Sequence, residues 1–395
     1  VNGKERVRAA FSRQPVDRVP LGLYAVDHDT IARVIGRPTI VRNQLAMQLA
    51  LWEGRRDEMV QQWKADLTDF YRAIDCADII TCRDAMLMPA RGGLVSPLMP
   101  PPTPDSAAPP RKIADNLWED AKGRLFKAIP EVNEIKCVRD PVAASAPPVF
   151  RVEDFEGPVP APSEPPAEIF EVFDHIAGVF GKDRYILGFS GGCVGVSLPG
   201  GFETGLMAYA LQPEVIAAMH RRAVEEQSAR DRFWIRPGTD GVLFDQDMAG
   251  TNAPYISPDM FRELCLPYMR ERVAAIKRQV PQMVLHNCGC NLPLVDQFIE
   301  AGFDCYQSLQ TTAGMEIGML RRRFGDRMAF WGGVPLETLI AGTAAETRKA
   351  VRDTLALAGR GGGIILGPSQ SIARGTRYDH FMAMLETFVQ ERDRA

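Results

Sequence analysis

Residues 283–291 read MVLHNCGCN, which sets His286, Cys288 and Cys290 at every second position directly after an apolar run. In an extended strand alternate residues share a face, so the imidazole and the first thiol emerge together, about 7 Å apart along the chain. Imidazole plus thiolate is a pair that zinc accepts. A Cys-x-Cys pair also suits redox chemistry, and a histidine at a strand end is ordinary packing; residue type and spacing leave all three open. Cys290 lies beyond Gly289, where the strand no longer sets its direction. A second group ends the run GVLFDQD (241–247), where Asp245 and Asp247 face the same way by alternation. Two carboxylates there suit general acid–base work or the orientation of a histidine. They equally suit the cap of a following helix.

Such residues need a scaffold that brings strand ends together. From about Tyr185 short apolar runs alternate with longer segments of helical period. The runs are RYILGFS (184–190), GVLFDQD (241–247), MVLHNCG (283–289), DCYQSLQ (304–310), MAFWGGV (328–334) and GIILGPS (363–369). Between them, segments such as SPDMFRELCLPYMRERVAAIKRQ repeat apolar residues at i, i+3, i+4, and Ser257–Pro258 reads as an N-cap with a first-turn proline. Two further strand candidates, RVPLGLYA (18–25) and ADIITC (77–82), bring the total to eight. Eight strand–helix units predict a closed (β/α)₈ TIM barrel over residues 1–395. An open doubly wound sheet fits the local pattern too, but no Gly-x-Gly-x-x-Gly turn follows the first strand.

Residues 94–170 break the rhythm and read as an insertion after the second strand, decorating the barrel. SPLMPPPTPDSAAPP (96–110) and PVPAPSEPPAE (158–168) are proline-rich and extended, and NLWEDAKGRLFKAI (116–129) between them reads as one short helix.

In a barrel, chemistry gathers where strands end and βα loops begin. The third expected strand ends in Ser190, Gly191, Gly192 and Cys193, the fourth in Asp245, Gln246 and Asp247, and the fifth in His286 and Cys288. Gln307 and Gln310 end the sixth, Trp331 with Gly332–Gly333 the seventh, and Ser369 with Gln370 the eighth. The glycines at 332–333 and 361–363 lack the Lys-Ser/Thr partner of a phosphate loop and read as tight turns.

Composition narrows the class. A net charge of −4 over 395 residues gives no broad attraction to nucleic acid or anionic lipid. No apolar run approaches the roughly 18–20 residues that span a bilayer. The charged start VNGKERVRAAF is no secretory leader, so a cytoplasmic protein with eight reduced cysteines is the expectation.

Five stretches, in order, resemble the uroporphyrinogen decarboxylase superfamily: GKERVRAAFSRQPVDRVPLG (3–22), SPDMFRELCLPYMRER followed by VLHNCG, FWGGV, and GGGIILGPSQSI. The likeness covers about residues 3–25 and 180–390, and the family fold is a (β/α)₈ barrel. The superfamily holds decarboxylases of a polyacidic tetrapyrrole, whose sites use arginines after the first strand. Here that stretch is LYAVDHDT (23–30), with two aspartates and no arginine. It also holds corrinoid-linked methyltransferases, which move a methyl group between a small substrate or thiol and a cobalamin carried on a separate protein. The thiol-methylating members bind zinc through a His-x-Cys and a last-strand cysteine. His286 and Cys288 match the first part, whereas the last strand here carries Ser369, Gln370 and Ser371.

The stretch FDQDMAGTNAPYISP (244–258) is similar to an acidic turn of members that demethylate small methylated or methoxylated molecules. The resemblance therefore implies a demethylating methyltransferase acting with a corrinoid-carrying partner protein, and zinc as a further cofactor. Asp245, Asp247 and His286 are its expected catalytic residues, Tyr24, Gln310, Trp331 and Ser369 its substrate contacts, and His286 and Cys288 its metal ligands. A broad exposed rim, to which the insertion contributes, would receive the corrinoid partner. The chain itself would be a monomer or homodimer. A zinc-dependent methylcorrinoid:thiol methyltransferase, a decarboxylase and a non-catalytic tetrapyrrole- or corrinoid-binding barrel are the competing expectations.

Overall fold

A computed structural model describes residues 1–94, 108–141 and 149–393 of the chain. The strands among the described residues are β1 (Ile79–Thr81), four short ones, β2 (Arg111–Ala114), β3 (Leu117–Glu119), β4 (Leu125–Ile129) and β5 (Glu134–Arg139), and then β6 (Tyr185–Gly188), β7 (Gly241–Asp245), β8 (Gln282–His286), β9 (Cys305–Gln307), β10 (Ala329–Val334) and β11 (Ile364–Pro368). β1 and β6 to β11 form one curled parallel sheet, in the order β1-β6-β7-β8-β9-β10-β11. Each strand lies beside the next because an intervening helical segment returns the chain to the same edge.

The first expected strand, residues 18–25, is present only as isolated parallel bridges, Leu21 with Leu366 of β11 and Gly22 with Ile79 of β1. These bridges join the two edges of the sheet. The Gly22 N–H donates to the Leu366 carbonyl at 2.9 Å, and the Asp78 N–H donates to the Leu21 carbonyl at 2.8 Å. The neighbouring Pro20 has no N–H to extend a ladder. Gly22 is required here, since a Cβ on it would lie 2.6 Å from the Trp331 ring.

Period-two alternation divides the strand residues between two layers. Tyr185, Leu187, Leu243, Val284, Cys305, Ala329, Trp331 and Ile365 share one buried cluster, inside the curl. Val242, Met283, Leu285, Tyr306 and Phe330 join a different one, against the outer helices. His286 follows Val284 by two and therefore points inward, as do Asp245 after Leu243 and Gln307 after Cys305.

Residues 116–129 are not the expected helix. β2 to β5 make a separate four-stranded antiparallel sheet, and β3 and β4 are the two halves of that segment. The turn between them runs through Gly123 at φ +74°, with Asp120 accepting from the N–H groups of Lys122 and Arg124 at 2.9 and 3.0 Å. The apolar face of this sheet packs on the helix Gln44–Trp52, with the Trp52 ring 5.7 Å from Trp118 and 5.8 Å from Phe126. Most of the first proline-rich stretch lies outside the described residues; the second, 158–168, has no regular structure before a 3₁₀ turn at Ala167–Phe170.

Ser257 does cap a helix, accepting from the Met260 N–H, with Pro258 in the first turn. The helical segment behind it is two helices, Pro258–Leu264 and Leu266–Lys277, because Pro267 has no N–H to continue the first. All eight cysteines are free thiols. Among the described residues no helix is long and apolar enough to cross a membrane.

Candidate active site

Strand register assembles the centre of the site. Asp245 pairs with His286 across β7 and β8, His286 with Gln307 across β8 and β9, and Gln307 with Trp331 across β9 and β10. Four residues from four strands therefore stand in one row, at strand spacings of about 4.8 Å. In this row the His286 Nδ1–H donates a close hydrogen bond to Gln307 Oε1, and Gln307 is fully buried. That bond selects the tautomer and leaves the Nε2 lone pair free to face the loop beyond the strand.

What faces Nε2 is the Cys288 thiol, with Sγ 3.3 Å away. The Ser308 hydroxyl donates to the same sulfur at 3.2 Å. Ser308 reaches it from a backbone at φ +80°, a left-handed conformation that only a fixed surrounding holds for a non-glycine residue. Asp247 closes the group, its Oδ1 accepting from the Cys288 N–H at 2.8 Å. One ligand atom each from Asp247, His286 and Cys288 lie within 4.8 Å of one another.

The loop after β8 needs Gly289, at φ +88°, where a Cβ would meet the Ala249 carbonyl oxygen at 2.5 Å. Beyond it the Cys290 N–H donates to the Gly250 carbonyl at 2.8 Å, and Cys290 is outside the three-residue group.

Tyr24 enters from the bridging segment on the far side of the curl. Its ring stacks on His286 at a centroid distance of 3.9 Å and an interplanar angle of 9°. Its hydroxyl donates to Asp245 Oδ2 at 2.5 Å, while Asp245 Oδ1 lies 3.9 Å from His286 Nε2. Arg83, two residues past β1, completes the wall with its Nε 3.2 Å from Asp245 Oδ2 and its guanidinium 6.0 Å above the Tyr24 ring.

Burial sets the protonation states. It holds His286 below the ordinary imidazole range, against the opposing pull of Asp245, so the ring is neutral near pH 7. Burial, with Asp247 adding, pushes the Cys288 thiol up to about 12. Burial and then the Asp245 charge push the Tyr24 hydroxyl well above its usual value, so it is a donor at every working pH.

The other expected contacts fall elsewhere. Trp331 shares the row but is fully buried, donating from Nε1 to the Gly22 carbonyl at 3.1 Å. Ser369 is buried too, its hydroxyl accepting from the Leu336 N–H at 3.0 Å. Gln310 ties loops together: its Oε1 accepts from the Gly289 N–H at 3.1 Å and from Gln370 at 3.4 Å. Asp27 and Asp29, the acids after the bridging segment, accept from the backbone N–H groups of Arg374 and Gly375 at 3.0 and 2.8 Å.

Arg83 and Ser308 stand at the site without having been singled out in the sequence. Ser308 follows β9 directly and Arg83 follows the second expected strand, 77–82, so the strand-end pattern extended to that strand reaches Arg83.

The residues fit a zinc ion. The 3.3 Å between Nε2 and Sγ is close to the about 3.5 Å that separates neighbouring ligands around a tetrahedral zinc. The second ring nitrogen is already held by a carbonyl oxygen, the support that metal-bound histidines require. A carboxylate, an imidazole and a thiol are three donors, the number found in open zinc sites, whereas closed structural sites use four.

The uroporphyrinogen decarboxylase (URO-D) family profile matches residues 135–390, more than half of the chain. Uroporphyrinogen decarboxylases from three strains of Coxiella burnetii (Dugway 5J108-111, RSA 331 / Henzerling II and RSA 493 / Nine Mile phase I) are each 25% identical over 185 residues, 44% of this chain and 47% of theirs. The chain thus spans about half the length of the curated relatives it matches. A methyltransferase from Methanosarcina mazei has the same fold at a TM-score of 0.62 over 98% of each chain, with 16% sequence identity. The profile covers every strand from β6 to β11, and with them Asp245, Asp247, His286, Cys288 and Gln307. This chain belongs to the uroporphyrinogen decarboxylase family.

Proposed function

We propose that the chain is a (β/α)₈-barrel methyltransferase that takes a methyl group from a small methylated or methoxylated substrate and passes it to a corrinoid carried by a partner protein. The observation that supports this most is the group Asp247, His286 and Cys288 at the strand ends, backed by Gln307 and walled by Tyr24 and Asp245. Methyl transfer to cobalt is an in-line substitution, for which the corrinoid supplies the nucleophile and the protein the positioning.

Breaking the O–CH3 bond of a methyl ether expels an alkoxide or phenoxide, which needs a Lewis acid or a proton. Bound zinc would supply the Lewis acid, with Asp247, His286 and Cys288 as ligands. Gln307 keeps the His286 Nε2 lone pair directed at the site throughout. Tyr24, locked as a donor to Asp245, fixes the carboxylate and covers one face of the imidazole, which keeps water off that face.

Two competing readings receive less support. Methylation of a thiol by a zinc site with a last-strand cysteine would need a thiol where Ser369 is buried and engaged with Leu336. Decarboxylation of a polyacidic tetrapyrrole would set many carboxylates against Asp245 and Asp247, which are exposed at the mouth.

The test is direct. The full chain, loaded with zinc, is mixed with cob(I)alamin and a series of methyl aryl and alkyl ethers, and the loss of cob(I)alamin absorbance is followed. Methylcobalamin formed by the wild type and lost in His286→Ala supports the reading. Release of carbon dioxide from uroporphyrinogen without methyl transfer from any donor would replace it with the decarboxylase.

A further inference from the structure

We infer that Arg83 recognises a carboxylate, so that the substrate of this site is a small monocarboxylate whose acid group lies over Tyr24. The inference deepens the methyl-donor reading and rests on it, but it is carried by a different residue.

Arg83 sits at the mouth with 38% of its side chain exposed. Its Nε is buried and makes no hydrogen bond, because the N–H is not aimed at the Asp245 oxygen 3.2 Å away. No hydrogen bond from its terminal nitrogens occurs among the described residues, so both are available to a ligand. An ion pair with Asp245 alone does not explain this geometry. Asp245 Oδ2 already accepts the Tyr24 hydroxyl at 2.5 Å, and an arginine placed only to neutralise it would turn a hydrogen-bonding edge toward it.

The main chain beneath Arg83 is fixed. Its N–H donates to Thr81 Oγ1 at 3.2 Å, and its carbonyl accepts from Arg42 at 3.1 Å. Arg42 is in turn paired with Asp27 at 3.0 Å. The cationic fork thus rises from a fixed main chain and lies 6.0 Å over an aromatic face. A planar carboxylate is the ligand whose geometry matches that fork.

The surroundings limit the charge to one. Asp245 takes part of the Arg83 field, and Asp247 is exposed on the same mouth, so a second substrate carboxylate would meet repulsion. A single carboxylate also fits the distance logic of the site. Asp245 Oδ2 lies 3.2 Å from Arg83 Nε and its Oδ1 3.9 Å from the His286 Nε2 that faces Cys288, so the span of one carboxylate separates the guanidinium from the metal-ligand group, a distance a small molecule covers.

The test uses binding, not turnover. Calorimetric titration of the full chain compares two isosteric pairs, 4-methoxybenzoate with 4-methoxybenzamide and methoxyacetate with methoxyacetamide. The wild type is expected to bind at least one carboxylate tenfold or more tightly than its amide. Arg83→Met should abolish that preference, and Arg83→Lys should keep only part of it, since an ammonium offers no fork. If Arg83→Met does not fold, the Lys variant decides, with at least a threefold loss of preference expected.

No preference in the wild type for either acid, or a preference that survives in the Arg83 variants, overturns the inference. Selective acid binding by a chain that transfers no methyl group would overturn the methyltransferase reading and leave carboxylate recognition standing. Methyl transfer from ethers without any preference for an acid would do the reverse.

Discussion

Zinc binding to Asp247, His286 and Cys288 is expected to release one proton per metal, and the structure says from where. In the metal-free protein, desolvation pushes the half-buried Cys288 thiol up to about 12, so near pH 7.5 it is protonated and the metal must displace that proton. The gap of about 4.5 pH units corresponds to about 6 kcal/mol at 1.36 kcal/mol per unit, an order-of-magnitude offset against the metal–thiolate bond. His286 adds no proton, because burial already keeps its ring neutral. The logarithm of the apparent zinc affinity should therefore rise by about one per pH unit between about pH 7 and pH 9. Calorimetric titration of metal-stripped protein, in buffers of different protonation enthalpy, counts the protons directly. Cys288→Ser should bring the count close to zero and weaken binding, whereas Asp247→Asn should weaken binding and keep the count. Zero protons released by the wild type, or a Cys288→Ser variant that behaves like it, would refute the assignment of Cys288 as a ligand.

Two further outcomes follow from buried geometry near the site. Burial raises the Asp84 carboxyl to about 6, although Tyr71 donates to it at 2.6 Å and the Val26 N–H at 3.1 Å. The folded state then holds a proton that the unfolded chain releases near pH 4, so stability falls as pH rises from about 4 to about 6, by about 3 kcal/mol from this group. Denaturant unfolding of the wild type and Asp84→Asn across this window should show that slope in the first and lose it in the second; parallel curves would contradict it. Gly289→Ala should cost more than about 2 kcal/mol, since it forces a side chain into a left-handed position against backbone oxygens 2.5 and 2.7 Å away. Thermal unfolding and zinc content report it together, and an unchanged melting temperature with full zinc would show that the loop relaxes freely.

The misread segment shows what local pattern leaves undecided. Leu117, Trp118, Leu125, Phe126, Ala128 and Ile129 recur at spacings that suit a helix face as well as a hairpin. Gly123 was the available signal for a turn, but the partner that makes the strands worthwhile is the helix Gln44–Trp52, some seventy residues earlier. The same distance problem hid Arg83, whose role appears only when Tyr24 and Asp245 stand beside it.

Other features were legible because their cause is local. Apolar runs with period-two alternation specify strands and say which residues face inward, and polar residues that end such runs mark the strand ends. That much put Asp245, Asp247, His286 and Cys288 on the same rim from sequence alone. Tertiary structure decided which of them meet. Register set Asp245, His286 and Gln307 in one row, and a bridging segment more than two hundred residues away laid Tyr24 on His286. The fold of the loops brought Asp247, rather than Cys290 or a residue of the last strand, to the third corner. Direction along a strand is a property of covalent geometry and is written residue by residue. Which strand lies beside which, and in what register, depends on contacts between distant parts of the chain, and only the folded molecule holds those.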